Sequence, residues 1–221
     1  MTQLRTAATI AFWLHLLAGV SMAVVLRRGL ETNPDFQERL AFIFNQHGLW
    51  TCAWLTWTAA AIAILYFYMT FSSAHQFGGF ALLLAAAGFA ADLSAQAIEI
   101  GVLPSLAGSI AGPNGGTDLF IALHRTAVMM SGCIANGLYS VSAFILAWGA
   151  RRVYPVWVSS SGIATAGFGV ALSAAALLDS ASGMFWTNVF LVPSILLWLA
   201  GVAQWRFISS PERLSRKQRD P

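Results

Sequence analysis

Six stretches of this chain are each long enough to cross a bilayer and almost free of charge. They run approximately over 7–26, 41–70, 78–100, 119–149, 153–178 and 183–207. A hydrocarbon core about 30 Å thick takes about 20 helical residues to cross. Lipid offers the backbone no hydrogen-bond partners, so stretches of this kind must be helices. Only 10% of the 221 residues are charged and 57% are hydrophobic, too little charge to clothe a water-soluble surface. A soluble globule, a nucleic-acid binder and a disordered chain are excluded on that ground. The expectation is an all-α integral membrane protein, a six-transmembrane-helix bundle. It forms one domain over 1–208, followed by a basic tail over 209–221.

The first stretch runs into Val24, Val25, Leu26, Arg27 and Arg28 with no small-residue cleavage site, so it reads as a retained span. Asn45-Gln46-His47-Gly48 reads as a break in the second stretch, and Thr32-Asn33-Pro34-Asp35 as a helix start. Gly101 to Thr117 reads as a surface loop, Arg151 to Pro155 as a tight turn, and Pro193 as a kink in the sixth span. Arg5, Arg151, Arg152, Arg206, Arg213, Arg216, Lys217 and Arg219 fall on one side of this topology. Arg27, Arg28 and Arg39 fall on the other, and that asymmetry places both termini in the cytoplasm. Tyr66, Tyr68, Trp148, Tyr154, Trp157 and Trp205 lie where interfacial anchors would be on the same side. A bacterial-type inner (plasma) membrane is the expected location. Cys52 and Cys133 fit no disulfide or zinc pattern and read as free thiols packed like small hydrophobes.

Ionisable groups at membrane depth are expensive and point to function by default. Asp92 lies deep in the third span, and Gln96 and Glu99 follow at i+4 and i+7 on the same helix face. His124 and Arg125 near the end of the fourth span, His47 on the second, Asp179 ending the fifth and Asn188 opening the sixth converge on the same outer half. Asp92 needs a partner at that depth, and Arg125 is the expected one. Trp50, Trp54 and Trp57 make a stripe below His47, suited to the aromatic wall of a ligand pocket. Arg125, Asn136 and Tyr139 fall on one stripe of an ideal helix, which would carry a polar lining towards mid-membrane. His15 reads as a helix-packing residue and His75 as a loop residue.

These residues suit acid–base chemistry. Two carboxyls in a low dielectric separate in proton affinity, so Asp92 and Glu99 can divide the acid and base roles. His124 would shuttle the proton and Arg125 would hold charge, while His47, Trp50, Trp54, Gln96, Asn136, Asp179 and Asn188 would line the substrate pocket. His47, His124, Asp92 and Glu99 also supply ligand types for iron or zinc, and two histidines on different helices would suit a haem. No HExxH, haem-attachment, GxSxG, P-loop or dinucleotide motif accompanies them, so no cofactor is assigned. The expected function is an integral-membrane enzyme acting on a lipid-soluble substrate in a pocket on the outer-leaflet side. The alternative is a non-enzymatic membrane protein, either an accessory subunit beside partner membrane subunits or a small-ligand binding or transport module. A catalytic pocket should leave Asp92 or Glu99 with a free face, and a purely structural bundle should pair every group.

One part of the chain resembles a known group. A span opening with Leu-Phe-Ile-Ala-Leu-His (119–124) carries Gly137-Leu138 and ends in Arg151-Arg152, and Tyr154-Pro155 and a small-residue span near Gly162 come next. This layout is similar to bacterial six-span inner-membrane proteins catalogued only as domains of unknown function. The resemblance implies six spans and an inner membrane. It implies no chemistry and no site residue.

Overall fold

The computed structural model describes residues 2–110 and 116–205. The basic tail and most of the Gly112–Gly116 loop lie outside these residues. Within them the structure is helical, with no strand, and six helical segments are long and apolar enough to cross a membrane. The protein is therefore an all-α, multi-pass membrane protein. The helices are α1 (Thr2–Val24), α2 (Phe36–Asn45), α3 (His47–His75), α4 (Gly79–Gly101), α5 (Leu103–Ile110), α6 (Thr117–Val128), α7 (Asn136–Gly149), α8 (Val156–Leu177) and α9 (Ala181–Gln204). A 3-10 turn, Leu26–Arg28, extends α1, and a π-helical segment, Met129–Ala135, joins α6 to α7.

Each long segment packs against the next in the chain, and α9 returns to pack against α1, so the six form a closed ring. Arg5 Nε seals the seam at the terminal end by donating to the Ala203 carbonyl, 2.9 Å away. The ring wears its apolar side chains outward: Trp13, Leu17, Leu55, Phe80, Leu83, Phe144 and Leu197 are exposed, as a surface facing hydrocarbon rather than water requires. Inside the ring, two apolar cores sit at opposite ends. Phe67, Tyr68, Phe71, Leu146 and Trp198 fill the end that carries the termini. Leu26, Ile43, Trp50, Leu103 and Phe120 fill the opposite, loop end.

At the loop end the break expected at 45–48 is present: the second stretch is two helices, because Gln46 breaks the backbone between α2 and α3. The helix start at 32–35 is Asp35, whose carboxylate caps the Glu38 N–H at 2.9 Å, with Pro34 outside the helix. The expected Gly101–Thr117 loop is helical over α5, which packs on α2 and α6 as a lid. Gly108 allows that contact, since a β carbon there would stand 2.6 Å from the Phe44 ring. At the terminal end, His75 is the last residue of α3 rather than a loop residue, and its Nε2 lies 2.9 Å from the Tyr154 hydroxyl. Tyr68 and Tyr154, expected as interface anchors, are buried. Cys52 is exposed on the outer face of α3 rather than packed, and Cys133 is half-buried. α9 runs through Pro193, whose missing N–H leaves the Val189 carbonyl without its helical donor.

Candidate functional site

Between the two apolar cores the ring encloses a cavity of about 530 Å³, lined by all six spanning segments. One wall is the α4 face read from the sequence. Asp92, Gln96 and Glu99 all border the cavity and are only 9%, 2% and 1% exposed. At that burial each needs a polar neighbour, and each has one. The Asp92 carboxyl lies within hydrogen-bonding reach of Ser131, on the π segment, and of Gln96 one turn along. The Gln96 side-chain oxygen accepts from the Thr58 hydroxyl of α3.

Glu99 stands at the head of a buried chain. Its Oε1 lies 3.6 Å from His124 Nε2, and the other ring nitrogen, Nδ1, lies 2.8 Å from Arg39 Nη2. A guanidinium can only donate, so Nδ1 is the acceptor and the neutral ring carries its proton on Nε2, facing Glu99. Behind the same residue, Trp50 Nε1 donates to the Glu99 carbonyl at 2.8 Å. Glu99 Oε2 is buried and has no hydrogen-bond partner among the described residues.

The third cluster caps the cavity. Glu31 borders it from the loop after α1, and its Oε2 lies 3.8 Å from Arg125 Nη1. Arg125 also meets Asp179 Oδ1 at 3.0 Å and donates to the Ala176 carbonyl at 2.6 Å. Asp179 reaches this position through a left-handed backbone, φ +55°, just beyond the end of α8. Burial pushes the Glu31 carboxyl up from its ordinary range; Arg39 and Arg125 offset this in part, and Asp179 adds to it. Burial likewise holds Arg39 below its usual value, against the pull of Glu31 and Glu99.

The aromatic wall is shifted one turn from its expected place. Trp54 and Trp57 border the cavity, whereas Trp50 is wholly buried behind it. The indole N–H groups of Trp54 and Trp57 and the Tyr139 hydroxyl are buried without partners among the described residues, and all three residues line the same space. Asn136 and Asn188 also line it, and their amide nitrogens are engaged by Ser131 O at 2.9 Å and Met184 O at 3.0 Å.

Several expectations are corrected. Asp92 does not pair with Arg125, which turns towards Glu31, Asp179 and the end of α8. The cause is the π segment between positions 125 and 136: its wider i→i+5 turns rotate α7 relative to α6. Asn136 and Tyr139 therefore face the cavity and Arg125 does not. His124 and Asp179 reach the cavity only through Glu99 and through Arg125–Glu31. His47 opens α3, exposed, and does not line the cavity. Among the described residues no three His, Cys, Asp or Glu side chains gather as metal ligands, so His47, His124, Asp92 and Glu99 do not form a metal centre. The two histidines offered for a haem stand in different surroundings: His47 is exposed at the start of α3, and the His124 ring nitrogens face Arg39 and Glu99. Glu31, Arg39 and Ser131 were missed because loop charges and a helix hydroxyl read as surface or filler. His15, taken for packing alone, borders the cavity and bonds the Ala11 carbonyl at 2.8 Å.

Fold and site together define a multi-pass membrane protein with a central, carboxyl-bearing cavity. No protein-family model matches the chain, and neither a curated protein nor a solved structure does so significantly.

Proposed function

We propose that this is an integral-membrane enzyme that performs acid–base chemistry on a lipid-soluble substrate held in the central cavity. Its place is a bacterial-type inner membrane with both termini cytoplasmic. One observation carries the reading: two buried carboxyls share one cavity with three buried donors that have no partner among the described residues. Buried N–H and O–H groups are rarely left unmade without a reason. Trp54, Trp57 and Tyr139 are therefore donors for acceptor oxygens of the substrate. Asp92 exchanges the proton with the substrate. Glu99 holds a second proton site, oriented by a His124 ring that Arg39 fixes in one tautomer.

A second reading has its own support. Arg39 holds the His124 ring and Trp50 holds the Glu99 carbonyl within the protein, as a binding module without chemistry would require. Transport has less support, because the cavity ends against the packed Tyr68 and Ile195 at the terminal end. Asp92→Asn separates enzyme from binding module. The variant, purified in lipid nanodiscs, should fold and retain whatever lipid-soluble molecule co-purifies with the wild type, now unconverted. Extraction and mass spectrometry of both samples make the test. Identical molecules in identical chemical form from both proteins would reject the enzyme.

A further inference from the structure

The cavity wall is buried or half-buried over most of its lining, and apart from Arg27 the residues exposed on it are apolar. The lining residues that are also exposed are Ala23, Arg27, Phe185, Val189 and Pro193. They lie along one seam of the ring, between the loop-end part of α1, with its 3-10 extension, and the first half of α9. Outside that seam, Val20, Val24, Trp186 and Phe190 are exposed, so the opening is framed by side chains suited to acyl chains. Among the described lining residues exposed there, Arg27 is the charged one, and it marks the loop end. At the other limit of the opening the two helices touch: Gly19 has no side chain, and a β carbon there would stand 2.9 Å from Val192 Cγ1. The neighbouring Val189 carbonyl lacks its helical donor because of Pro193, which weakens α9 beside the opening.

From this geometry we propose that the cavity is loaded sideways from the bilayer, through the α1–α9 seam, by a long-chain amphiphile with an uncharged oxygen-bearing head. The proposal rests on the reading of the cavity as a binding space for a lipid-soluble substrate, and names the substrate class and its route. The chain lies between α1 and α9 against Phe185, Val189 and Val192. The head reaches the α4 wall, where Trp54, Trp57 and Tyr139 donate to its oxygens. An anionic head is disfavoured by Asp92, Glu99 and Glu31 on the same lining. An uncharged alcohol or carbonyl enters hydrocarbon without the penalty that a charged head carries.

The seam supplies its own test. A β carbon at position 19 would lie 4.0 Å from the Val192 β carbon, within the range that a disulfide spans. The protein carrying Gly19→Cys and Val192→Cys, with Cys52→Ala and Cys133→Ala, is reconstituted in phosphatidylcholine vesicles containing a diazirine-bearing hexadecanol. After illumination, labelled residues are mapped by mass spectrometry. The reduced protein should be labelled on Asp92 or Glu99, and oxidation should abolish that labelling until a reductant restores it. Ala23→Trp, which fills the opening without a cross-link, should also abolish it. Unlabelled hexadecanol should compete and hexadecyl sulfate should not. Cavity labelling that survives both the disulfide and Ala23→Trp would overturn the lateral route, and equal competition by the sulfate would overturn the uncharged head. No cavity labelling in the reduced protein or the wild type would instead reject the cavity as a lipid-binding space, and the proposed function with it.

Discussion

The carboxyls of Asp92 and Glu99 border one cavity but are held by different means. Glu99 faces a histidine ring that a guanidinium fixes from behind, all within protein, whereas Asp92 has Ser131 and Gln96 beside it. Removing His124 leaves the buried Glu99 and the half-buried Arg39 without the group that joins them, and breaking a buried charged arrangement costs about 3–5 kcal/mol. Asp92→Asn keeps the shape and a hydrogen-bonding head, so its loss is expected below about 2 kcal/mol. Thermal unfolding in one detergent compares His124→Ala with Asp92→Asn, and equal losses would refute the distinction. Arg125 and Asp179 present the opposite case, since the Asp179 carboxylate side chain is 69% exposed. A double-mutant cycle with Arg125→Gln and Asp179→Asn should give a coupling of only about 0–1 kcal/mol. Substantially larger coupling would mean that water does not screen this pair.

At the scale of elements, the loop after α1 has a pH dependence of known sign. The folded Glu31 carboxyl takes up a proton more readily than in the unfolded chain, because burial outweighs the pull of Arg39 and Arg125. Asp179 and Glu99 are the acidic groups within its electrostatic reach. Its contribution to docking is thus fully present below the ordinary carboxylate range and is lost as pH rises through the raised value. Hydrogen exchange of residues 29–33 should speed up with pH beyond its intrinsic dependence, and Glu31→Gln should remove the excess. An excess that persists in the variant would assign it to another group. The π segment is the second element with a clear consequence. Deleting Cys133, one residue of Met129–Ala135, should restore α-helical register and turn Asn136 and Tyr139 out of the cavity. Helix content by circular dichroism should hold while cavity labelling is lost; retained labelling would show that the register does not matter. This segment also explains what could be read from the sequence. The α4 face was legible because Asp92, Gln96 and Glu99 lie on an unbroken α-helix with regular spacing. Across 129–135 the same arithmetic put Arg125 on the wrong face, since hydropathy carries no trace of a change in helical pitch. Short α2 was bracketed by the helix start at 32–35 and the break at 45–48, whereas α5 was hidden because its Gly- and Pro-containing sequence reads as a loop.

For the whole molecule, six spans were legible because a window of about 20 apolar residues averages over every local error. Which side faces the cytoplasm rests on Lys and Arg counts alone. In a Cys52→Ala, Cys133→Ala background, Leu178→Cys at the loop end should react in intact cells with an impermeant maleimide, and Arg151→Cys should not. The reverse pattern would invert the orientation of the cavity. The ring also has a consequence for how the protein is made. Its closing contact joins the first helix to the last, so α1 must wait in the membrane until α9 leaves the ribosome. α4 enters well before that, carrying Asp92, Gln96 and Glu99, and an acidic residue at mid-helix is penalised by roughly 2.5–3.5 kcal/mol during insertion. Through the second half of synthesis these groups therefore face a half-open arc of helices. The unfinished chain is then the form most exposed to membrane proteases, and residues 181–204 are both the last piece of the wall and the end of that exposure.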